Sequence, residues 1–226
     1  MKARLLPAAL VLLAACAAPP IVAIRPGYDF SKVGRVALID PPDAAGAPGS
    51  GNAVARALEP YLLQAGYDLV ERGQVAQVLA EQAFTHTDSV DPATALRLGK
   101  LLGAEALVLG RVTAATTPQS TTYMQTVSNT TYQPVYETQA YKGRDGKDRT
   151  RQAIARYDVV TTNDQIPQTY TTDATVAFTV KLVDATTGQV LWTGSVAGDG
   201  GSLADAANSA AGRLFQALKP AWPVRP

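Results

Sequence analysis

The sequence predicts an α/β fold in which helices pack against a mixed sheet, with a long β-hairpin-like excursion inserted into it. Apolar runs typical of buried strands alternate with segments of helical spacing, the order expected of a sheet covered by helices. Residues 113–174 break this order, because they are rich in Thr and Tyr and contain no Leu or Trp. The chain has 226 residues and is 46% hydrophobic, which is enough for one folded domain.

The N-terminus has the pattern of an export signal. Residues 1–15 place two basic residues before an apolar run that is too short to span a bilayer. The sequence Leu-Ala-Ala then leads into Cys16 and resembles the lipobox of bacterial lipoproteins, in which the leader is cut before a lipidated Cys. We predict a signal peptide at 1–15 and acyl chains such as palmitate on Cys16, which together anchor stably. Ala17 follows the Cys, and the absence of an Asp at this position resembles bacterial lipoproteins that are passed to the outer membrane; the expected location is therefore the periplasmic side of that membrane.

Proline, glycine and polar clusters set the predicted domain boundaries. Residues 16–32 hold three prolines and are expected to be the lipidated Cys and an irregular tether. The α/β domain is predicted at 33–218, interrupted by the excursion at 113–174. Residues 219–226 are expected to be a C-terminal tail.

The first half of the domain predicts three strands and three helices. Residues 33–39 form an almost unbroken apolar run, which is typical of a strand covered on both faces. Helical spacing follows, with Asn52 as a candidate N-cap, and a second helix is expected just after Gly73. The remaining elements are a strand at 67–71, a helix punctuated by Asp91, Pro92 and Gly103, and a strand at 104–112.

After the excursion, the sequence predicts a β-hairpin and a final helix. Residues 175–183 and 190–194 have strand character and are joined by a turn. Ser202 and Asp205 resemble a capping box, and the helix that they open ends before Pro220. Leucine and alanine recur on one face of this helix, as expected of an element that packs on a sheet.

Composition excludes several classes of function. The chain contains one His, His86, and one Cys, so a zinc site, an intrachain disulfide and a Cys/His nucleophile pair all lack residues. The formal net charge is +1, or −1 without the leader's Lys2 and Arg4, which argues against a binder of nucleic acid. We expect no metal, no cofactor and no enzymatic activity.

The acidic residues beside the second helix are the strongest catalytic candidates, and we interpret them as structural. Glu71, Arg72 and Glu81 are not accompanied by a base, a ligand set or a phosphate loop. Glu71 and Arg72 are expected to form hydrogen bonds where a strand meets the helix, and Glu81 to lie on an exposed helix face. His86 is expected in a solvent-exposed polar loop.

Four motifs carry a resemblance to a known family. They are LVER at 69–72, VLAEQ at 78–82, LGAEALVLG at 102–110 and LVDATTGQV at 182–190. In this order, behind a lipobox, they resemble the CsgG family of curli production assembly/transport lipoproteins. The resemblance implies an α/β domain like the N-terminal domain of TolB and the lipoprotein activators of penicillin-binding proteins. It implies no cofactor.

The resemblance leaves two kinds of function open. The first is an outer-membrane assembly or secretion component, as in curli assembly, that forms oligomers and a conduit across the membrane. The second is a non-pore interaction module, such as an activator of a cell-wall synthase or of another cell-envelope protein. The partner is then either further copies of this chain or a different envelope protein.

The excursion carries the predicted interaction residues. Six of the nine tyrosines lie in it: Tyr123, Tyr132, Tyr136, Tyr141, Tyr157 and Tyr170. Tyrosines provide amphipathic contact area, and Thr- and Tyr-rich arms have strand propensity that suits pairing with a neighbour.

A membrane strand requires an outward apolar face, which the excursion provides only in part. On the return arm, simple alternation places Ala153, Ala155, Tyr157 and Val159 on one side. The face of the outgoing arm that carries Tyr132 is uncharged but rich in Thr and Ser. The sequence leaves the formation of a pore open.

Overall fold

The computed structural model describes residues 18–222, except residue 83 and residues 85–90. The chain divides into two compact units, of which the second is Gln119–Thr171 and the first comprises the residues on both sides of it. The strands of the described chain are β1 (Ile21–Ile24), β2 (Arg35–Leu38), β3 (Asp68–Leu69), β4 (Ala106–Thr116), β5 (Ser120–Lys142), β6 (Asp148–Thr171), β7 (Ala174–Asp184) and β8 (Val190–Gly200). The helices are α1 (Ser50–Gln64), α2 (Arg72–Glu81), α3 (Pro92–Leu102) and α4 (Leu203–Leu218).

The first unit is built on a six-stranded mixed sheet with the order β1-β8-β7-β4-β2-β3. Strand β2 pairs in parallel with β3 and β4, whereas β4, β7, β8 and β1 form antiparallel pairs. Helices α1 and α4 contribute to one hydrophobic cluster, and α2 and α3 contribute to another. The fold class predicted from the sequence is therefore confirmed.

The unbroken apolar run of β2 is explained by burial on both faces. Val36 and Leu38 belong to the cluster that α1 and α4 share, and Ala37 and Ile39 belong to the cluster of α2 and α3. Successive strand residues point to opposite faces, so a strand buried on both sides has apolar residues at every position.

The predicted tether was wrong over much of its length. Strand β1 lies inside it and pairs with β8, with Ile21 opposite Ser195 and Ile24 opposite Trp192. Phe30, further along the same segment, belongs to the hydrophobic core. The prolines at positions 19, 20 and 26 lie outside β1 and so remove no N–H donor from its pairing with β8.

Helix α1 begins two residues before the candidate N-cap Asn52. Its own N-cap is Gly49, which has a φ of 82°, a left-handed conformation that glycine adopts without a Cβ penalty. The carboxylate of Asp43 accepts hydrogen bonds from the N–H groups of Gly49 (2.8 Å) and Gly51 (2.7 Å). A side chain from the preceding loop thus satisfies the helix terminus, which local sequence alone does not reveal.

The structure confirms the predicted start and end of helix α3. Asp91 is the N-cap and accepts hydrogen bonds from the N–H groups of Ala93 and Thr94, Pro92 is the first helical residue, and Gly103 is the C-cap. Helix α2 starts at Arg72, slightly earlier than expected, because Glu71 caps it.

Two further elements complete the first unit. Ser202 accepts a hydrogen bond from the N–H of Asp205 at the start of α4, as expected of a capping residue. The predicted C-terminal tail is partly folded, since Lys219–Ala221 form a 3₁₀ turn and Ala221 is buried. No helix among the described residues is long and apolar enough to span a membrane.

The second unit is a two-stranded antiparallel sheet of β5 and β6, with 23 and 24 residues respectively. The pairing is continuous from Ser120 opposite Thr171 to Lys142 opposite Asp148, apart from one register shift. Residues 143–147 form the connecting loop, in which the N–H of Gly146 donates to the carbonyl of Gly143. The Thr- and Tyr-rich segment thus forms a long β-hairpin.

Candidate interaction surface

The structure describes all six candidate tyrosines, and each lies on β5 or β6. Cys16 and His86, which were also singled out from the sequence, lie outside the described residues. Because residues opposite one another in an antiparallel pair share a face, the register assigns every hairpin side chain to one of two faces. Tyr132, Tyr136 and Tyr157 share one face, whereas Tyr123, Tyr141 and Tyr170 share the other.

The charged side chains are distributed unequally between the same two faces. The face with Tyr132 holds no charged residue from Ser120 to Ala140 on β5 or from Thr150 to Thr171 on β6, and we call it the uncharged face. Its only charged pair is Lys142 with Asp148, beside the connecting loop. The opposite, charged face carries Glu137, Arg149, Arg151, Arg156, Asp158 and Asp164. The hairpin therefore has one charged face and one uncharged face, although both contain Thr and Gln.

Apolar side chains gather at one part of the uncharged face. Three consecutive same-face pairs are Tyr132 with Val159, Pro134 with Tyr157, and Tyr136 with Ile154. We call these six residues the aromatic patch. The three tyrosines are 66%, 57% and 56% exposed in chain order. An exposed apolar cluster with a polar surround is typical of a protein contact site.

A β-bulge creates the patch. The register shifts between Val135 and Tyr136, which leaves Ala155 without an opposite residue on β5. The extra residue reverses the alternation of β6, so Ile154 joins the face of Tyr157. The expected row of alternating residues on the return arm is consequently wrong, because Ala153 lies opposite Glu137 on the charged face.

The charged face forms its own local contacts. The Arg156 guanidinium lies 2.9 Å from the Asp158 carboxylate, and the Arg151 guanidinium lies 5.8 Å from the centre of the Tyr141 ring. The amide of Gln139 donates to the carboxylate of Glu137 (2.8 Å). These polar side chains thus have partners within the hairpin. Tyr123 and Tyr170 on the same face are 55% and 63% exposed, about as much as the tyrosines of the aromatic patch.

Both edges of the hairpin are open. In the described chain, β5 and β6 pair with each other and with no third strand. Each edge presents a row of backbone N–H and C=O groups that a further strand is able to pair with. Long two-stranded sheets are marginally stable by themselves, so added strands would stabilise this one.

The acidic residues near α2 lie in structural contacts. Glu71 accepts a hydrogen bond from the N–H of Gln74 (2.9 Å), and hydrogen bonds from Gly73 and Gln74 lower the pKa of its carboxyl group. The guanidinium of Arg72 lies between the carboxylates of Asp40 (2.6 Å) and Glu59 (3.2 Å). These contacts join the segment after β2, helix α1 and the start of α2.

Glu81 accepts a hydrogen bond from Gln77 on the exposed face of α2. The described residues contain no cluster of three His, Cys, Asp or Glu side chains able to hold a metal. Glu71, Arg72 and Glu81 therefore form contacts within the first unit, and the hairpin is the strongest candidate for a functional surface.

Sequence reasoning found the six tyrosines but not their division into two faces. The sequence shows that alternate residues of β5 are uncharged. It does not show to which face each β6 residue belongs, because that depends on the length of the loop and on the bulge at Ala155. Pro134, Ile154 and Val159 were therefore missed as members of one patch.

Comparisons with known proteins gave one family match and several similar solved structures. A family model described as "Curli production assembly/transport component CsgG" matches residues 19–122. The comparison with curated proteins gave no match. A solved PelC dodecamer from Paraburkholderia phytofirmans has 16% sequence identity over 91% of this chain and 99% of that chain, with a TM-score of 0.46. Lipoprotein GNA1162 from Neisseria meningitidis has 15% identity over 74% of this chain and 83% of that chain, with a TM-score of 0.42.

Residues 19–122 include three of the four motifs quoted above, those at 69–72, 78–82 and 102–110. The family match therefore confirms the resemblance of this chain to the CsgG family.

Proposed function

We propose that this protein is a lipid-anchored assembly or transport component of the bacterial outer membrane that associates through its hairpin. The proposal combines the lipobox-like sequence at Cys16 with the CsgG family match at residues 19–122. Acyl chains on Cys16 hold the chain on the periplasmic side of the membrane. The hairpin of β5 and β6 then pairs with hairpins of other copies.

The observation that carries this proposal is the combination of open edges with an uncharged face. Edge pairing between β6 of one copy and β5 of the next satisfies backbone groups that each hairpin alone leaves to water. In such an extended sheet the uncharged faces of all copies lie on one side and the charged faces on the other. The aromatic patches of neighbouring copies then form a continuous band.

The tyrosines contribute energy as well as shape. Each Tyr ring buries a large area with few rotatable bonds, so ordering it costs little conformational entropy. Tyr132, Tyr136 and Tyr157 are already held on paired strands, which reduces that cost further. The proposal assigns no enzymatic step to the protein.

A second candidate is an interaction module without a pore, in which the hairpin adds a strand to a different envelope protein. The composition of the uncharged face favours this alternative, because most of its residues are Thr, Ser, Gln or Asn rather than lipid-compatible side chains. Pro134 and Pro167 also lack the N–H group that a continuous ladder uses. Oligomeric state distinguishes the two candidates.

The test compares two triple variants of the same chemistry. Tyr132, Tyr136 and Tyr157 are changed to Ser in one protein, and Tyr123, Tyr141 and Tyr170 are changed to Ser in the matched control. The mass of each detergent-extracted lipoprotein is measured by light scattering. We expect multimers for the wild type and the control. On dilution, the first variant should dissociate at a protein concentration at least tenfold higher.

Thermal melting of both variants tests whether they remain folded. A monomeric wild-type protein would overturn the self-association proposal in favour of the interaction module. Equal dissociation of the two variants would overturn the assignment of the contact to the aromatic patch.

A further inference from the structure

The described chain begins at one identifiable end of the six-stranded sheet. Strand β1 runs antiparallel to β8, and its first residue, Ile21, lies opposite Ser195. The residues before Ile21 therefore lie near the end of the sheet at which β8 finishes. The guanidinium of Arg213 on α4 fixes this location, because it donates to the carbonyl oxygens of both Ala18 and Ala197.

The same end of the sheet contains the points at which the chain leaves and re-enters the first unit. Thr116, the last residue of β4, lies opposite Thr175 near the start of β7, and their hydroxyl groups are 2.8 Å apart. The turn between β7 and β8 lies at the other end, since Ala106 at the start of β4 is opposite Asp184. The two ends of the sheet are thus structurally distinct.

Little chain separates this end from Cys16. Only Ala17 lies between Cys16 and Ala18 in the sequence, and the two residue steps from Cys16 to Ala18 span at most about 7 Å in a fully extended chain. If the prolines of residues 16–32 formed a loose tether, the domain would move freely relative to its anchor. Because β1 and Arg213 instead hold the segment from Ala18 onward, only a very short connection remains.

We propose that the sheet end formed by Ala18, Ile21, Ala197, Thr116 and Thr175 faces the lipid surface of the membrane. This inference rests on the acylation of Cys16 in the proposed function. It goes further, because it assigns an orientation to the domain. The turn at residues 184–189 faces away from the bilayer.

The exposed side chains at this end suit the proposed contact. Ile21 is 76% exposed at the edge of the sheet, so its apolar side chain is available to the interface between headgroups and acyl chains. The orientation also brings the roots of the hairpin, after Thr116 and before Thr175, to the membrane side. Arg213 acts as a positioning residue, since it joins the anchored segment to α4 and β8.

The test measures the distance of each sheet end from the lipid headgroups. Cys16 is the only cysteine of the chain, and its acylated sulfur does not react, so an introduced Cys is the single free thiol. Ala197→Cys places a fluorophore near the proposed membrane end, and Thr186→Cys places one at the far end. Both side chains are exposed, and residues 190–197 alone span about 24 Å along β8.

The lipidated full-length protein is reconstituted into vesicles of phosphatidylethanolamine and phosphatidylglycerol that contain headgroup spin-labelled lipid. We expect quenching to be several-fold stronger at residue 197 than at residue 186. A matched protein carries a flexible Gly/Ser insertion of about ten residues between Ala17 and Ala18, which leaves β1 intact but lengthens the connection. That insertion should remove most of the difference.

Mass spectrometry of the same samples measures whether Cys16 is acylated, which tests the proposed anchor separately from the orientation. Equal quenching at the two positions of an acylated protein, or stronger quenching at residue 186, would overturn the orientation alone. A chain without acyl groups would overturn the anchor and the orientation together.

Discussion

The hydroxyl of Tyr28 donates a hydrogen bond to the carboxylate of Asp184 across 3.1 Å. Tyr28 lies between β1 and β2, and Asp184 ends β7, so the bond joins the N-terminal segment to the turn between β7 and β8. Asp184 also accepts hydrogen bonds from the N–H groups of Thr186 and Thr187, both 2.8 Å long. One carboxylate thus organises the turn and holds the N-terminal segment against it.

The Tyr28–Asp184 pair predicts an alkaline limit to stability. Burial, together with the hydrogen bond to Asp184, raises the pKa of Tyr28 from 10.0 to about 12. A raised pKa means that the folded state keeps a proton that the unfolded chain loses, so this stabilisation persists below pH 10 and falls between pH 10 and about 12. Tyr28→Phe should cost about 1 kcal/mol at neutral pH and flatten the loss over that interval. Urea titrations at several pH values measure both effects, and an unchanged alkaline slope in Tyr28→Phe would contradict the prediction.

Asp184 predicts a corresponding dependence in acid. Burial alone would raise the pKa of its carboxyl group, but the N–H groups of Thr187 and Thr186 outweigh burial and lower it. A lowered pKa stabilises the folded state above the pKa of the unfolded chain, about 4, and that contribution is lost as the pH falls through the folded value. Asp184→Asn should therefore be less stable at pH 7 and should lose less stability on acidification. Asp173→Asn, at an exposed position, is the control and should retain the wild-type acid slope.

The parts of the fold that were predicted well are those specified locally. Helix α3 ends where Asp91 and Gly103 indicate, because caps act within one turn of chain. Strand β2 was recognised because burial on both faces leaves an apolar run. Strand β1 was missed, since its four residues become a strand only by pairing with β8, far along the chain. The sequence did not reveal all members of the aromatic patch for a similar reason. The bulge at Ala155, which brings Ile154 onto that face, has no local signature in the Thr-rich arms.

Close packing of α4 on β8 predicts a sensitive glycine. A Cβ on Gly198 would lie 2.6 Å from the carbonyl oxygen of Ala206 and 2.6 Å from the amide nitrogen of Ala210, both backbone atoms of α4. Small alanines on this face of the helix allow the close approach, so there is no flexible side chain to move aside. Gly198→Ala should destabilise the protein by about 2 kcal/mol. Gly201→Ala is the matched control, because the nearest atom to its Cβ is 3.9 Å away.

Denaturant titration of the two glycine variants measures the free energy of unfolding. The control should remain within about 0.5 kcal/mol of wild type, as substitutions without close contacts do. Equal stabilities for the two variants would show that α4 moves away from β8 without cost.

The division into two units predicts that the hairpin is dispensable for folding. The core of the first unit draws on both sides of the hairpin, because β4 pairs with β7 from Ala106 opposite Asp184 to Thr116 opposite Thr175. Removing Gln119–Thr171 and joining the ends with a short Gly-rich turn keeps these pairs and closes them with a much shorter loop, which favours folding.

We expect a cooperative transition with a Tm no lower than that of wild type. The denaturant m-value should fall only slightly, because most of the hairpin surface is already exposed in the folded chain. The same deletion should abolish self-association, whereas a truncated chain that is unfolded by circular dichroism would show that the first unit depends on the hairpin.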